Sequence, residues 1–176
     1  MTAVAVGCTD ADDSDPISSS TADADVQALR QREVLATGDC ADQPTVEKAS
    51  KDIGPLVGDG PVRVVANADG TVPTASPETY GSETWGGNKL LIAVSDEIDG
   101  PVLVRGLSQH GGDLGFGTDP APEDSQVLSI DGRQPLGGGW YDFPNAVRVE
   151  QGGCYTLQFD YPQGTSRVEL AIDDID

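Results

Sequence analysis

Basic residues are scarce in this chain. Its 176 residues include 10 lysines and arginines against 30 aspartates and glutamates, which gives a formal net charge of −20. Nucleic-acid binding requires clustered lysine and arginine to neutralise phosphates, and anionic membrane surfaces attract basic segments for the same reason. The few basic residues here are spread from Arg30 to Arg167. The composition therefore predicts no nucleic-acid partner and no direct electrostatic binding to a membrane.

Long hydrophobic runs are also missing, because no stretch approaches the roughly 20 apolar residues of a membrane-spanning helix. Aromatic residues make up 5% of the chain, whereas 22 glycines and 12 prolines predict frequent turns. Histidine occurs once, as His110, and cysteine three times. The two body cysteines, Cys40 and Cys154, and one distant histidine do not make a four-ligand zinc set. We therefore predict no metal site and no cofactor.

The single histidine lies between Ser108 and Asp113 in a glycine-rich stretch. Members of a hydrolase triad converge through the fold, whereas neighbours in one loop point in different directions. The residues around Ser108 also lack the final glycine of a nucleophile elbow, because His110 takes that place. We therefore predict no enzymatic activity and no catalytic residue. A hydrolase or transferase domain stays open as an alternative, which a buried His110 beside Ser108 and a carboxylate would favour.

The clearest pattern is an alternation of residue types near the C-terminal end. Apolar side chains occupy every second position from Tyr155 to Tyr161, and again from Val168 to Ile172. Such alternation is typical of strands with one face in the core, and Pro162-Gln163-Gly164 between the two runs supplies turn chemistry. These features predict a β-hairpin. Its first strand would turn Tyr155 and its apolar partners to the core and Cys154 to the opposite face.

Short strands separated by turns are predicted before the hairpin as well, with no long helical pattern between them. This punctuation predicts an all-β fold, an antiparallel β-sandwich of about seven to nine short strands. Residues 71–85 contain two prolines and are predicted as a long loop. The predicted strands ahead of the hairpin are Val62–Ala66, Leu90–Val94, Val102–Arg105, Val127–Ile130, Trp140–Phe143 and Ala146–Val149.

The N-terminal part differs in composition from the rest. Residues 9–25 are acidic and have almost no apolar content, so they cannot bury enough surface to offset the entropy of ordering. We predict a disordered acidic tether over 9–25 and a sandwich domain over 40–176. Residues 26–39 between them suit either a short helix capped by Asp23 or Asp25 or a first strand.

Residues 1–8 end in Ala5-Val6-Gly7-Cys8, directly before the acidic segment. This resembles the end of a bacterial lipoprotein signal, in which the cysteine is diacylated and becomes the first mature residue on the outer face of the membrane. Alanine stands where leucine is usual, and the apolar lead is shorter than a complete signal peptide. The resemblance implies lipidation at Cys8 and an extracytoplasmic location, anchored or secreted. The alternative is a free cysteine on a tail.

Cys40 and Cys154 remain for the body of the chain. In an exported protein such a pair is predicted to form a disulfide, because oxidising compartments pair cysteines. Since Cys154 is predicted to face away from the core, the bond would strap the N-terminal segment onto the outside or edge of a sheet.

The arrangement from about Cys40 to Ile172 resembles an immunoglobulin-like β-sandwich. The segments GPVLVRG, GGWYDFP and GGCY, followed by the hairpin, resemble small exported or lipid-anchored proteins of actinobacteria, for which no activity is established. Antibody-type domains carry a tyrosine two residues before the second cysteine, and that position here is Gly152. The resemblance therefore implies an immunoglobulin-like sandwich without the antibody-type corner.

Large aromatic side chains are the candidate binding residues, because they combine apolar area with a polar group. Core packing is their default role, but a partly exposed patch at Trp140 and Tyr141 would be a binding surface. The predicted function is a non-enzymatic cell-surface module with an interaction or accessory role and an unknown protein or small-ligand partner. The alternative is a small-ligand carrier lined by Tyr80, Trp85 and Trp140 at one end of the sandwich.

The lipoprotein resemblance predicts that Cys8 is lipidated when a complete signal precedes it. Cells fed a clickable fatty acid should label the wild-type protein and leave Cys8→Ser unlabelled. Membrane contact would then come only through the lipid at Cys8. Equal labelling of both proteins would contradict the prediction.

Overall fold

The structure, a computed structural model, describes residues 19–38, 40, 46–48, 54–67, 71, 72, 74, 76–108, 114–128 and 134–175. Two β-sheets enclose an apolar core, which confirms the predicted all-β sandwich. The elements are α1 (Ser19–Arg30), β1 (Val46–Lys48), β2 (Pro55–Val57), β3 (Val62–Val65), β4 (Thr71–Val72), a 3-10 helix (Pro77–Tyr80), β5 (Gly86–Ser95), β6 (Val102–Ser108), β7 (Leu114–Phe116), β8 (Ser125–Leu128), β9 (Gln134–Gly137), β10 (Trp140–Val149), β11 (Gly153–Tyr161) and β12 (Gly164–Ile172).

Sheet I has the strand order β1-β2-β3-β5-β10-β7, with β9 also paired to β10, and sheet II has the order β4-β12-β11-β6-β8. The pairing is antiparallel except between β4 and β12, which run parallel. The described residues form 12 strands, more than the seven to nine predicted. The difference comes from β1, β2, β4, β7 and β9, which have two to four residues each and are too short to show a clear alternation.

The β11–β12 hairpin has the predicted form. Its register brings Tyr161 opposite Gly164, which leaves Pro162 and Gln163 as the turn. Leu157 and Phe159 are 0% exposed and belong to the core. Leu90, Ile92 and Val94 of β5 belong to the same core cluster, and β5 contains the predicted strand Leu90–Val94.

The strands predicted over Trp140–Phe143 and Ala146–Val149 are one continuous strand, β10. Proline lacks the N–H that a sheet ladder uses and is usually confined to positions where no partner needs it. On the side away from β5, β9 pairs with residues 140–142 and β7 pairs with residues 147–149. Pro144 lies in the gap between them, so the strand continues along β5 through it.

The N-terminal end of the described chain is helical. Helix α1 begins at Ser19, so residues 19–25 are not part of a tether, and it ends at Arg30. Leu29 of this helix is 3% exposed, and α1 contacts β6 on the side of sheet II away from the core. Of the range 26–39 that suited a helix or a strand, the first part is therefore helix. Cys8 and the rest of the predicted tether lie outside the described residues.

A strap, defined as residues 31–38 together with Cys40, follows α1 across the outer face of sheet II. It begins at the hairpin turn, where the Arg32 guanidinium donates to the carbonyl oxygens of Pro162 and Gly164. It ends at the disulfide between Cys40 and Cys154, whose Cα atoms are 5.7 Å apart. The disulfide was predicted from the sequence, and the strap lies on the outside of the sheet as expected.

Removing core side chains should affect this sandwich differently from removing the disulfide. Leu157→Ala and Phe159→Ala leave cavities in the core and should each lower the free energy of unfolding by about 2–5 kcal/mol. The double variant Cys40→Ala/Cys154→Ala should lose no more than the roughly 4–5 kcal/mol of loop closure and keep its β-sheet circular dichroism. Denaturant unfolding of all three variants measures these losses. A double variant without β signal, beside near-neutral core variants, would contradict the assignment of faces.

Candidate functional site

An apolar row crosses the outer face of sheet I. Val65 of β3 lies opposite Leu56 of β2 and opposite Leu91 of β5. Pro144 of β10 lies opposite Leu91 and completes the row. Leu56 is 1% exposed, Val65 and Leu91 are half-buried, and Pro144 is exposed. The apolar row therefore passes from a covered residue to an exposed one across four neighbouring strands.

Charged residues flank the apolar row on this face. Lys89 lies two residues before Leu91 on β5 and is exposed. On the other side, the guanidinium carbon of Arg63 lies 5.2 Å from the centre of the Trp140 ring, a cation–π contact. Arg63 lies opposite Ala93. This alanine is 0% exposed. Its small side chain leaves room above β5 for the contact between the arginine and the indole.

Arg148 makes a second cation–π contact at the far end of the same face, with its guanidinium carbon 4.2 Å from the centre of the Tyr80 ring. Arg148 is fully buried. Its Nε donates to the Gly86 carbonyl oxygen at 3.1 Å, Nη2 to that of Trp85 at 2.6 Å and Nη1 to that of Asp119 at 2.7 Å. Desolvation lowers the pKa of Arg148, and Tyr80 partly offsets this. The arginine thereby joins the loop before β5 to the loop after β7.

A glycine makes room for this arginine. A Cβ atom on Gly87 would lie 2.9 Å from Cδ of Arg148 and 2.3 Å from the Val147 carbonyl oxygen. Gly87 lies opposite Arg148 in the β5–β10 ladder. The side chain of Arg148 therefore crosses β5 at a glycine, because any larger residue at position 87 would place a Cβ atom against it.

The predicted aromatic residues fall into two separate groups. Trp85 precedes the first residue of β5, and Trp140 lies opposite the last one. The ten-residue strand between them spans about 30 Å at the usual rise per residue. Tyr80, Trp85 and Trp140 are therefore not brought together as one lining, and Tyr141 packs against the core instead of joining Trp140 on the outer face. A binding role for each group stays a prediction.

The sequence interpretation missed Arg63, Arg148 and the apolar row. A signal was present for Arg63, because it interrupts the apolar run Val62-Arg63-Val64-Val65 at an outward position. No comparable signal marked Arg148 as buried, since its partners are main-chain carbonyls of two distant loops.

The outer face of sheet II is polar and covered. Thr156, Gln158 and Asp160 of β11 are each 0% exposed. Asp160 forms an ion pair with Arg105 and accepts a 2.7 Å hydrogen bond from the Thr165 hydroxyl group. Buried polar groups are costly without hydrogen bonds, so the partners on this face stabilise the cover as well as the sheet.

The described residues assemble no metal-binding cluster. Three or more histidine, cysteine, aspartate or glutamate side chains do not come together there to hold an ion. His110 lies outside the described residues, so the arrangement of Ser108 and His110 stays untested. Open pockets among the described residues include one of about 260 Å³ beside Phe116 and Gln126, one of about 570 Å³ beside Pro77 and Ser82, and one of about 430 Å³ between α1 and the hairpin turn.

No helix in the described part of the chain is long and apolar enough to cross a membrane. No protein-family model matches the sequence, and no curated protein matches it either. The structure is similar to a candidate lipoprotein from Bacillus anthracis, with 11% identity, 82% of this chain and 99% of that chain covered, and a TM-score of 0.49. It is also similar to the CooA pilin subunit from enterotoxigenic Escherichia coli, with 9% identity, coverages of 66% and 99%, and a TM-score of 0.39. Similarity at this level carries no argument about function.

Arg148→Lys should destabilise the protein, because an ammonium group cannot reach three carbonyl oxygens that a planar guanidinium spans. Buried acceptors left without a donor cost about 1–3 kcal/mol of unfolding free energy. Urea unfolding followed by circular dichroism measures the loss. Arg30→Lys is the matched control, because Arg30 is exposed and its side chain donates to the Ser125 hydroxyl group. Equal losses in the two variants would contradict the role given to Arg148.

Proposed function

We propose that this protein is a non-enzymatic module on the outer side of the cell membrane that binds a protein partner through the apolar row of sheet I. The row itself is the observation that carries the proposal. Protein interfaces combine an apolar centre with a polar rim and favour tryptophan and arginine. Here Val65, Leu91 and Pro144 form the centre, and Lys89 and the Arg63–Trp140 pair form the rim.

The difference between the two outer faces supports this choice of surface. The outer face of sheet II is occupied by α1 and the strap, and Thr156, Gln158 and Asp160 on this face already have partners. Exposed and half-buried apolar residues remain on sheet I. A partner that covered the apolar row would remove them from water and gain the free energy of apolar burial.

The disulfide supports export. Cysteine pairs persist in oxidising compartments outside the cytoplasm, and Cys40 and Cys154 are bonded. Diacylation at Cys8 would then hold the module on the outer face of the membrane. Without the lipid, the protein would be secreted. The charge of −20 favours solubility and disfavours non-specific association with other acidic surfaces.

The immunoglobulin-like resemblance belongs to the same proposal. In the antibody corner a tyrosine hydroxyl group bonds to the main chain a few residues upstream. The Tyr155 hydroxyl group donates to the Gln151 carbonyl oxygen at 2.7 Å, so a similar contact comes from the residue after Cys154. The contact supports an immunoglobulin-like corner at the start of β11, although its tyrosine follows the cysteine here.

Site-specific photocrosslinking in living cells tests the proposed surface. A benzophenone amino acid at Lys89, beside the apolar row, should give a crosslinked partner. The same amino acid at Gln163, which is exposed in the hairpin turn, should give none. Adding Leu91→Asp should abolish the crosslink, because a carboxylate in the row opposes apolar burial.

Purified Leu91→Asp must keep the wild-type circular dichroism spectrum for this comparison to hold. If it does not, Leu91→Ser takes its place. Equal crosslinking at Lys89 and Gln163, no crosslink at either, or a crosslink that survives the change at Leu91 would each overturn the proposal.

A further inference from the structure

A pocket of about 260 Å³ lies at one edge of the sandwich. At this edge β7 ends the strand order of sheet I, β8 ends that of sheet II, and the two strands contact each other. The pocket is lined by Phe116 of β7, Gln126 of β8 and five residues of the loop between these strands. Because Phe116 also belongs to the core cluster, the inner end of the pocket borders the core.

Gln126 brings an unused hydrogen-bond acceptor into this pocket. It lies opposite Val104 in the β6–β8 ladder, and opposite residues of a ladder share one face of the sheet. Val104 belongs to the core cluster, so the side chain of Gln126 points between the two sheets. Its Oε1 is buried and accepts no hydrogen bond from the described part of the chain. Buried acceptors without a donor are rare and costly, so a ligand that supplies one would complete the pocket.

Two carboxylate groups line the same pocket. Asp119 and Glu123 are both exposed, and neither forms an ion pair with another described residue. The described lining contains no lysine or arginine, and Thr118 adds a hydroxyl oxygen. Hydrogen bonds from a charged donor to a carboxylate are about twice as strong as those between neutral groups. The ligand that fits this lining is therefore a cation that carries hydrogen-bond donors.

The loop that carries the carboxylates is held in place by the rest of the fold. Phe116 and Glu123 exchange two main-chain hydrogen bonds, at 2.8 and 2.9 Å, which close the loop at its base. Nη1 of Arg148 donates to the Asp119 carbonyl oxygen at 2.7 Å. Two prolines in the loop fix their own φ angles. A preorganised loop avoids the entropy cost of ordering when a ligand binds.

The donor set of the pocket suits an ammonium group better than a metal ion. Calcium takes about six to eight oxygen ligands, whereas the described residues bring no three histidine, cysteine, aspartate or glutamate side chains together around one point. A primary ammonium group has three N–H donors, one for each of the Gln126 amide oxygen and the two carboxylates. The ring of Phe116 at the inner end offers apolar surface to a stem and attracts a cation through its π face.

We propose that this pocket binds a primary alkylammonium group. The Oε1 atom of Gln126 accepts one of its N–H bonds, and the carboxylates of Asp119 and Glu123 accept the others. The alkyl stem lies against Phe116 and Ala121. A free alkylamine and the lysine side chain of a partner protein both present this group. The site uses no residue of the apolar row, so it stands independently of the partner surface on sheet I.

Titration of the ¹⁵N-labelled full chain with n-butylammonium, followed by NMR at neutral pH and constant ionic strength, tests the site. We expect saturable shifts at residues 115–126 and at the side-chain amide of Gln126. Tetramethylammonium has the charge without N–H donors, and n-butanol has the stem without the charge. Each should bind at least about tenfold more weakly, because hydrogen bonds to charged groups are the strong ones. No saturable shift, or equal binding of tetramethylammonium, would overturn the proposal.

Substitutions in the lining separate direct contacts from the general attraction of an acidic protein. Glu123→Gln should weaken n-butylammonium binding at least about tenfold. Asp124→Asn is the matched control, because Asp124 is exposed, changes the net charge equally and does not belong to the described lining. Gln126→Met removes the amide at similar length and should also weaken binding, whereas Gln126→Glu keeps an acceptor and should retain it. Equal effects at Glu123 and Asp124, or unchanged binding by Gln126→Met, would overturn the proposal.

Two further titrations identify the ligand. A lysine blocked at both main-chain ends presents the same ammonium group as a protein side chain. Binding of blocked lysine and n-butylammonium alike supports a partner's lysine as the source, and binding of n-butylammonium alone supports a free amine. Calcium chloride that shifts the resonances of residues 115–126, where n-butylammonium does not, would show a metal site and overturn the proposal. The photocrosslink at Lys89 does not depend on any of these results.

Discussion

Both faces of β11 are withdrawn from water, and the two faces need different partners. On one face, Leu157 and Phe159 pack in the core. On the other, Gln158 and Asp160 are fully buried, so their polar groups require hydrogen bonds from neighbouring strands and from the strap. Arg105 satisfies this requirement from two sides, because it pairs with Asp160 and donates to the strap. The strap, β6 and the hairpin thereby depend on one another.

Small residues decide where long side chains and the main chain can lie across the sheets. Gly38 lets the strap approach Glu169, Gly87 lets Arg148 cross β5, and Ala93 lies below the contact between Arg63 and Trp140. These positions also explain why the two outer faces differ. The strap lies close to sheet II and completes its hydrogen bonds, whereas the arginines of sheet I lie at the two ends of its face and leave the apolar row between them.

The hairpin could be predicted because its information is local: alternate residues from Tyr155 to Ile172 share a face, and a turn separates the runs. The face of the sheet that carries the disulfide could be predicted from the same alternation, because Cys154 directly precedes the core residue Tyr155 and so faces the other way. The burial of Arg148 could not be predicted, since its three acceptors lie in loops that only the fold brings together. Helix α1 was missed over residues 19–25 because an acidic composition with little apolar content is typical of a tether, whereas Leu29 at its far end packs against the sheet.

The disulfide also determines how the chain would carry a mechanical load. It joins two residues separated by 114 positions, and Cys154 lies in the penultimate strand. A pull on the two ends of the molecule would pass from Cys40 directly to β11, because a covalent bond does not yield where hydrogen bonds do. The residues between the two cysteines, which include all of sheet I, would stay outside the stretched path. Only the segment before Cys40 and the final hairpin could lengthen, so the sandwich would behave as a short, stiff link.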